Sequence, residues 1–295
     1  MVDKEETETV TVRQLLSHTG GFAGDLFEDL GRGDDALDRY VAYLHTAAIQ
    51  VHGPGALFSY CNSGYCVLGA LVATLRGGTW ESVLAERLIG PLGVRHMALF
   101  AEEAILFRTA AGHVKPADGG EQVVFPRWQM PRSNAPAGAT PCAAPHELVR
   151  FGRMFLAGGL AADGTRLLSA DAIAAMRVPQ VPVPGGGGRV AGHWGLGFAL
   201  SDWNGTPVIG HDGGTVGQSS FWRVIADRDF VVALTVVPDG LAAAAGMART
   251  TGRYVLLAGD TFVTAQPKDG THETVTFVDS GRYLHDGRAV PRVSG

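Results

Sequence analysis

Apolar positions in the first two-thirds of the chain recur at helical spacing, and those of the last third alternate. Thr11 is placed to N-cap a short helix through Ser17, with Leu15 and Leu16 as apolar contacts and Gly20-Gly21 as its stop. Residues 34–49 carry Leu37, Tyr40, Val41 and Leu44 on one face, which predicts an amphipathic helix. After a turn at Gly53-Pro54-Gly55, residues 63–75 bring Val67, Leu68, Leu71, Val72 and Leu75 and read as a buried helix. Residues 79–89 predict another, ended by Gly90-Pro91. Pro145 suits a first helical position ahead of Leu148, Phe151, Met154 and Phe155, with Gly158-Gly159 closing that helix. Ser169 caps a short helix through Met176, and residues 178–190, with glycine at 185 to 188, read as a surface loop.

Beyond the glycines the period falls from 3.6 to 2. Residues 195–201 and 206–210 predict two strands joined at Asn204-Gly205, a hairpin signal. Residues 219–225 and 230–237 predict two more, so the four form an antiparallel meander. Residues 241–257 read as a helix able to cover one face of it, and 272–278 with 283–290 as a terminal β-hairpin. Helices first, then sheet plus helix, make an α+β fold.

Composition narrows the function classes. With 295 residues the chain can bury a large core without staples, and its 41 Gly and 15 Pro stop short of low complexity. A net charge of −5 with no basic run argues against nucleic acid or an anionic membrane surface as partner. No apolar run reaches the roughly 18 residues of a membrane span. The acidic start, Met1 to Glu8, is no signal peptide, which leaves the compartment open; the oligomeric state is equally open. Cys61, Cys66 and Cys142 are odd in number and unpaired by spacing, and the ten histidines show no His-x-x-x-His. Neither a metal nor another cofactor is expected.

Two segments invite a chemical reading. In Phe58-Ser59-Tyr60-Cys61-Asn62-Ser63-Gly64-Tyr65, Tyr60 and Asn62 sit two apart before a helix and can face one cleft. A phenol serves as a base there only where positive charge lowers its pKa from about 10. The plain alternative makes Tyr60 a core aromatic and Asn62 a helix cap. In Ile209-Gly210-His211-Asp212-Gly213-Gly214-Thr215-Val216-Gly217, glycines let backbone approach a substrate and a strand N–H can serve an oxyanion. The plain alternative is a glycine turn beside a strand-end histidine.

Taken together and in order, these segments resemble the serine β-lactamase and penicillin-binding-protein-like hydrolases, in the branch of class C β-lactamases, esterases and D-alanyl-D-alanine peptidases. Val10-Thr11-Val12-Arg13-Gln14-Leu15-Leu16-Ser17-His18-Thr19-Gly20-Gly21 is similar to that family's T-x-R-x-L-L-x-H-T-S-G segment, residues 58–65 to F-x-Y-S-N-x-G-Y, and residues 210–217 to its K-T-G or H-x-G strand. The resemblance implies a β-lactamase/transpeptidase-like fold over about residues 1–260, helical over about 11–180 and sheet over about 190–260, with 261–295 as a C-terminal hairpin appendage. It implies Tyr60 as general base, Asn62 as a contact to the acyl side chain, His211 in place of the third-motif lysine, and Gly213-Gly214 as substrate backbone, with the Gly214 N–H at the oxyanion. His18 is expected to be structural. The substrate would be a small ester, amide or β-lactam, with ester or peptide favoured because His211 is weakly charged and Asp212 adds a negative neighbour.

The family's Ser-x-x-Lys is absent, since no serine here has a lysine three residues on. That leaves no nucleophile in this chain, and the N-terminal strands and nucleophile helix of the fold are expected to be missing with it. An N-terminally incomplete product, inert as it stands, is the simplest expectation. A nucleophile-free binding protein using the same cleft is the alternative.

Overall fold

The computed structural model describes residues 2–114, 116, 120–184 and 192–236, and the backbone of five strands between 254 and 291. α1 (Lys4–Thr9) starts where the Asp3 carboxylate accepts the Glu6 N–H, and α2 (Val12–Leu16) where Thr11 and Gln14 close a capping box. α3 (Ala36–Ala47) buries Tyr40 and Leu44 as its periodicity requires. α4 (Asn62–Arg76) is capped by the Cys61 thiol, which accepts the Gly64 N–H at 3.3 Å.

α4 departs from the sequence reading in which side it hides. Its buried face is Ser63, Gly64, Cys66 and Gly69, whereas Leu71, Val72 and Leu75 are exposed, Leu75 by 72%. Small residues let neighbours come close: a Cβ on Gly69 would stand 2.3 Å from Pro136 of the 3-10 turn Arg132–Ala137. Leu71, Val72 and Leu75 are left for the outer face, while Val67 and Leu68 pack half-buried on the helical core.

α5 (Trp80–Leu84) does not stop at Gly90-Pro91. A π turn, Ala85–Ile89, sends the Gly90 N–H back to the Ala85 carbonyl and carries the helix into α6 (Gly90–Leu92). Pro91 follows directly on the π turn within this continuous helix, and Gly93 at φ +67° makes the stop. β1 (Met97–Ala98), α7 (Ala101–Ala104) and a ribbon of β2 (His113–Val114) with β3 (Val123–Val124) follow. β4 (Cys142–Ala143) pairs back onto β1 and leads into α8 (Pro145–Leu156) and α9 (Ala170–Met176), the latter capped by Ser169.

The sheet runs β10-β9-β8-β7-β6-β5, all antiparallel: β5 (Val181–Pro182), β6 (His193–Trp194), β7 (Ala199–Trp203), β8 (Thr206–Thr215), β9 (Gln218–Ile225) and β10 (Phe230–Val236). Three readings shift. Residues 181–182 form an edge strand within the expected loop, where Pro182 is tolerated because it sits at the edge. The expected strand 195–201 divides around a turn in which the Gly195 N–H meets the Phe198 carbonyl. β8 continues five residues past Gly210 through glycines that look like loop. The expected helix 241–257 lies largely outside the described residues, and its last part is strand β11 (Tyr254–Ala258). β11 begins a second antiparallel sheet with β12 (Thr261–Thr264), β13 (Thr274–Val278), β14 (Tyr283–His285) and β15 (Ala289–Pro291); the expected hairpin is its β13–β14 pair.

Two cores hold the described part together. α8 lays Met154 and Phe155 on Trp222, Val224 and Ile209 of the six-stranded sheet and on Phe198 of the turn before β7. Leu15, Phe22, Tyr40, Leu44, Cys61 and Cys66 form the helical core. Between them Phe58 packs on Trp194 and Val183, with Tyr60 alongside. That small cluster seats the Tyr60 loop against the sheet.

Candidate active site

Tyr60 stands on an extended segment whose two flanking amides are held by one residue. The His18 carbonyl accepts the Ser59 N–H at 2.8 Å, and the His18 Nδ1 accepts the Cys61 N–H at 3.0 Å. The His18 ring lies tilted over Tyr60 with centroids 4.1 Å apart and is itself buried. His18 holds φ +55°, a conformation that costs free energy and persists where its surroundings demand it. The structural role expected of His18 thus has a specific content: it positions the phenol.

His211 comes from β8, and the strand register shows what that strand offers. Asn204-Gly205 and Val216-Gly217 are both two-residue turns, so Trp203 with Thr206 and Thr215 with Gln218 are hydrogen-bonded pairs. Counting inward from either turn, even-numbered residues of β8 direct N–H and C=O toward β7, and odd-numbered ones toward β9. β7 ends opposite Gly210, at Ala199. The amides of Asp212 and Gly214 therefore face an edge the neighbouring strand has vacated. A Cβ built on Gly214 would meet nothing within 4 Å.

The two halves meet at a hydrogen bond. Tyr60 Oη lies 3.2 Å from His211 Nε2, and Trp194 packs edge-on to both rings, at 5.8 and 5.6 Å. Burial pushes the His211 imidazole below its ordinary 6.5, outweighing a hydrogen bond to the Asp212 backbone and the Asp212 charge; Arg223 pushes the same way as burial. The ring is neutral at pH 7. Tyr65, which donates to the Leu16 carbonyl at 3.0 Å, is driven above its ordinary range chiefly by burial and so stays protonated.

Asn62, the first residue of α4, donates from Nδ2 to Asp25 Oδ1 at 2.7 Å. Its amide is thereby oriented by a carboxylate that no motif singled out. Asp212 projects from the face of β8 opposite His211 and forms a bidentate pair with Arg223, at 2.5 and 3.1 Å. Its charge is answered there, which removes the argument that it sets a bare negative neighbour beside His211. Gly213 lies opposite Ser220, whose hydroxyl a Cβ would approach to 2.4 Å. Trp194 went unnoticed in the sequence because it belongs to no motif.

Ser63, buried near the Tyr60 loop, is engaged structurally: its hydroxyl donates to the Gly24 carbonyl and meets Tyr40 Oη at 2.9 Å. Of the chain's three lysines, Lys4 is the one among the described residues, and it is exposed on α1. Candidate metal ligands among the described residues, His96, His146 and Glu147, belong to the start of α8 and not to this site.

The family model for β-lactamase matches residues 2–257. The chain belongs to the β-lactamase family. Within that family it is 42% identical over 235 residues to penicillin-binding protein 4 of Amycolatopsis lactamdurans, a match covering 79% of this chain and 61% of that protein. It is 25% identical over 242 residues to the D-aminopeptidase of Brucella anthropi, covering 79% of this chain and 43% of the other. The chain thus spans less than two-thirds of the length of either relative. Among solved structures, SurE superposes with a TM-score of 0.73 at 26% identity, covering 97% of this chain and 79% of SurE, and SurE with D-Leu gives 0.70 at 25%, covering 98% and 79%. The β-lactamase/transpeptidase-like fold is therefore shown. Among the described residues no helix is long and apolar enough to cross a membrane.

Proposed function

We propose that these residues form the proton-transfer and oxyanion-binding part of a β-lactamase-family serine hydrolase for amides or esters of D-amino acids. The acyl-enzyme would form on the serine of a Ser-x-x-Lys helix, which this sequence does not contain. The observation that carries the reading is the Tyr60–His211 hydrogen bond beside the vacated edge of β8. The D-amino-acid class is supported by similarity to a D-aminopeptidase and to a protein solved with D-Leu.

The chemistry follows from a neutral His211. With Tyr60 donating to Nε2, the phenol bridges: it takes the serine proton as its own proton passes to the imidazole. No phenolate with a strongly lowered pKa is then required. The serine oxygen bonds to the acyl carbon, and the charge on the carbonyl oxygen is met by the Gly214 N–H and the serine's own N–H. Collapse breaks the bond to the leaving amine or alcohol, which recovers the proton from Tyr60. Water repeats the sequence to release the acid. Because neutral His211 lacks the cation that attracts a β-lactam carboxylate, esters and amides are the favoured substrates.

Removal of a nucleophile costs many orders of magnitude in rate, so the 295-residue chain by itself is inert on this reading. The test is release of p-nitroaniline from D-phenylalanine p-nitroanilide and covalent labelling by a fluorescent fluorophosphonate. Neither is expected from this chain; both are expected from a polypeptide that adds an N-terminal Ser-x-x-Lys helix, and both should depend on Tyr60. Turnover by the chain as it stands, abolished by Tyr60→Phe, would overturn the reading. Full activity of the lengthened protein carrying Tyr60→Phe and His211→Ala would do so as well. The absence of Ser-x-x-Lys favours one other reading, a binding protein that uses the same cleft, which reversible binding of penicillin without covalent labelling of the lengthened protein would support.

A further inference from the structure

The start of α8 gathers His146 and Glu147, neighbours in the sequence, with His96 from fifty residues earlier. β1 and β4 pair Met97 with Ala143, and the Ala144 N–H donates to the His96 carbonyl at 2.9 Å, so His96 lies beside the first turn of α8. His146 and Glu147 occupy that turn. His96 Nδ1, His146 Nε2 and Glu147 Oε1 are 3.2, 3.3 and 3.3 Å from one another, nearly an equilateral triangle.

Protons satisfy such a triangle poorly. An N–H on either ring can point along one edge but not along two, which leaves a close polar contact unbridged. A single ion serves all three atoms at once. Tetrahedral zinc with bonds of about 2.0–2.1 Å sets its ligand atoms about 3.3–3.4 Å apart, the spacing found here. Two imidazoles and one carboxylate select a late first-row ion over magnesium or calcium, which prefer all-oxygen sets.

The surroundings are those of a ligand cluster. Glu147 is 3% exposed; its Oε1 accepts the backbone N–H groups of Arg95 and His96, both at 3.0 Å, and its Oε2 accepts the Arg150 Nε–H at 3.1 Å. Both imidazoles are more than half exposed, which gives an ion a path in and leaves the fourth position to water. Phe107 packs edge-on to His96 at 5.8 Å and restrains the ring.

We propose that His96 Nδ1, His146 Nε2 and Glu147 Oε1 bind one zinc ion, with solvent at the fourth position, tying the β1–β4 ribbon to the head of α8. The site is separate from Tyr60 and His211, so the proposal stands or falls independently of the hydrolase reading.

The test is calorimetric titration of the chelator-treated, dialysed 295-residue chain with zinc chloride, repeated with cobalt chloride and followed by visible absorption. One equivalent should bind, cobalt should show the intense visible bands of a four-coordinate ion, and zinc should raise the unfolding temperature. His96→Ala and His146→Ala should each weaken binding by about tenfold or more and erase the temperature shift, since either removes one of three protein ligands. His45→Ala and His193→Ala, both at exposed positions, should change neither. Absence of stoichiometric binding would overturn the proposal, as would binding that survives both ligand substitutions. Loss of binding in the His45 or His193 variant would overturn it too.

Discussion

Glu147→Gln is the substitution whose cost can be worked most directly from the structure. The buried carboxylate is pushed up by burial, but hydrogen bonds from the Arg95 and His96 amides, from Arg150 and from the His96 ring outweigh that and bring it from an ordinary 4.5 down to about 2. One pKa unit is about 1.4 kcal/mol, so the ionised form contributes on the order of 3 kcal/mol of stability. The folded pKa is the depressed one, so the contribution is complete well above pH 4.5 and drains away as pH falls from 4.5 toward 2. Gln has the same shape, but it carries no charge and turns an amide N–H2 toward one set of donors. Urea unfolding in the presence of chelator measures the difference. The variant should be less stable by about 3 kcal/mol at pH 7 and by about 2 kcal/mol at pH 3.5. A gap below about 1 kcal/mol at pH 7, or one that does not narrow on acidification, would refute the reasoning.

Three further substitutions probe the frame and the site. His18→Ala removes the ring nitrogen that accepts the Cys61 N–H and should cost about 1–3 kcal/mol in denaturant unfolding, with His18→Asn, a polar residue at home at positive φ, costing less. Gly152→Ala would put a methyl 2.5 Å from Val231 Cγ1 where α8 meets β10; the overpacking cost of about 1–3 kcal/mol exceeds the gain in helix propensity, so a lowered unfolding temperature is expected and a raised one would contradict the packing. Asp212→Asn removes a negative charge that favours the protonated His211 ring, so the His211 pKa should fall further, and an increase would contradict the charge arrangement.

What could be read from the sequence divides along physical lines. Thr11, Ser169 and Pro145 announced their helices because a cap acts through its immediate neighbours. Periodicity misled in α4 over Leu71, Val72 and Leu75, although Val67 and Leu68 do reach the core, since the packing there is set by Gly69 against Pro136 of a segment some seventy residues away. It failed again at β8, where Gly210, Gly213 and Gly214 carry no strand propensity and their extended conformation comes from pairing with β9. Tyr60 and His211 are 151 residues apart, and only the order of family-like motifs suggested that they meet. No comparable motif joins His96 to His146 and Glu147, which the short β1–β4 ribbon brings together.

The proposed chemistry needs an imidazole kept neutral against a phenol, and NMR titration of the His211 ring measures that state in the chain as it exists. This chemistry requires a His211 pKa below 6.5 that moves upward when Tyr60→Phe removes the hydroxyl at 3.2 Å from Nε2. A value at or above 6.5, unmoved by that substitution, would contradict it.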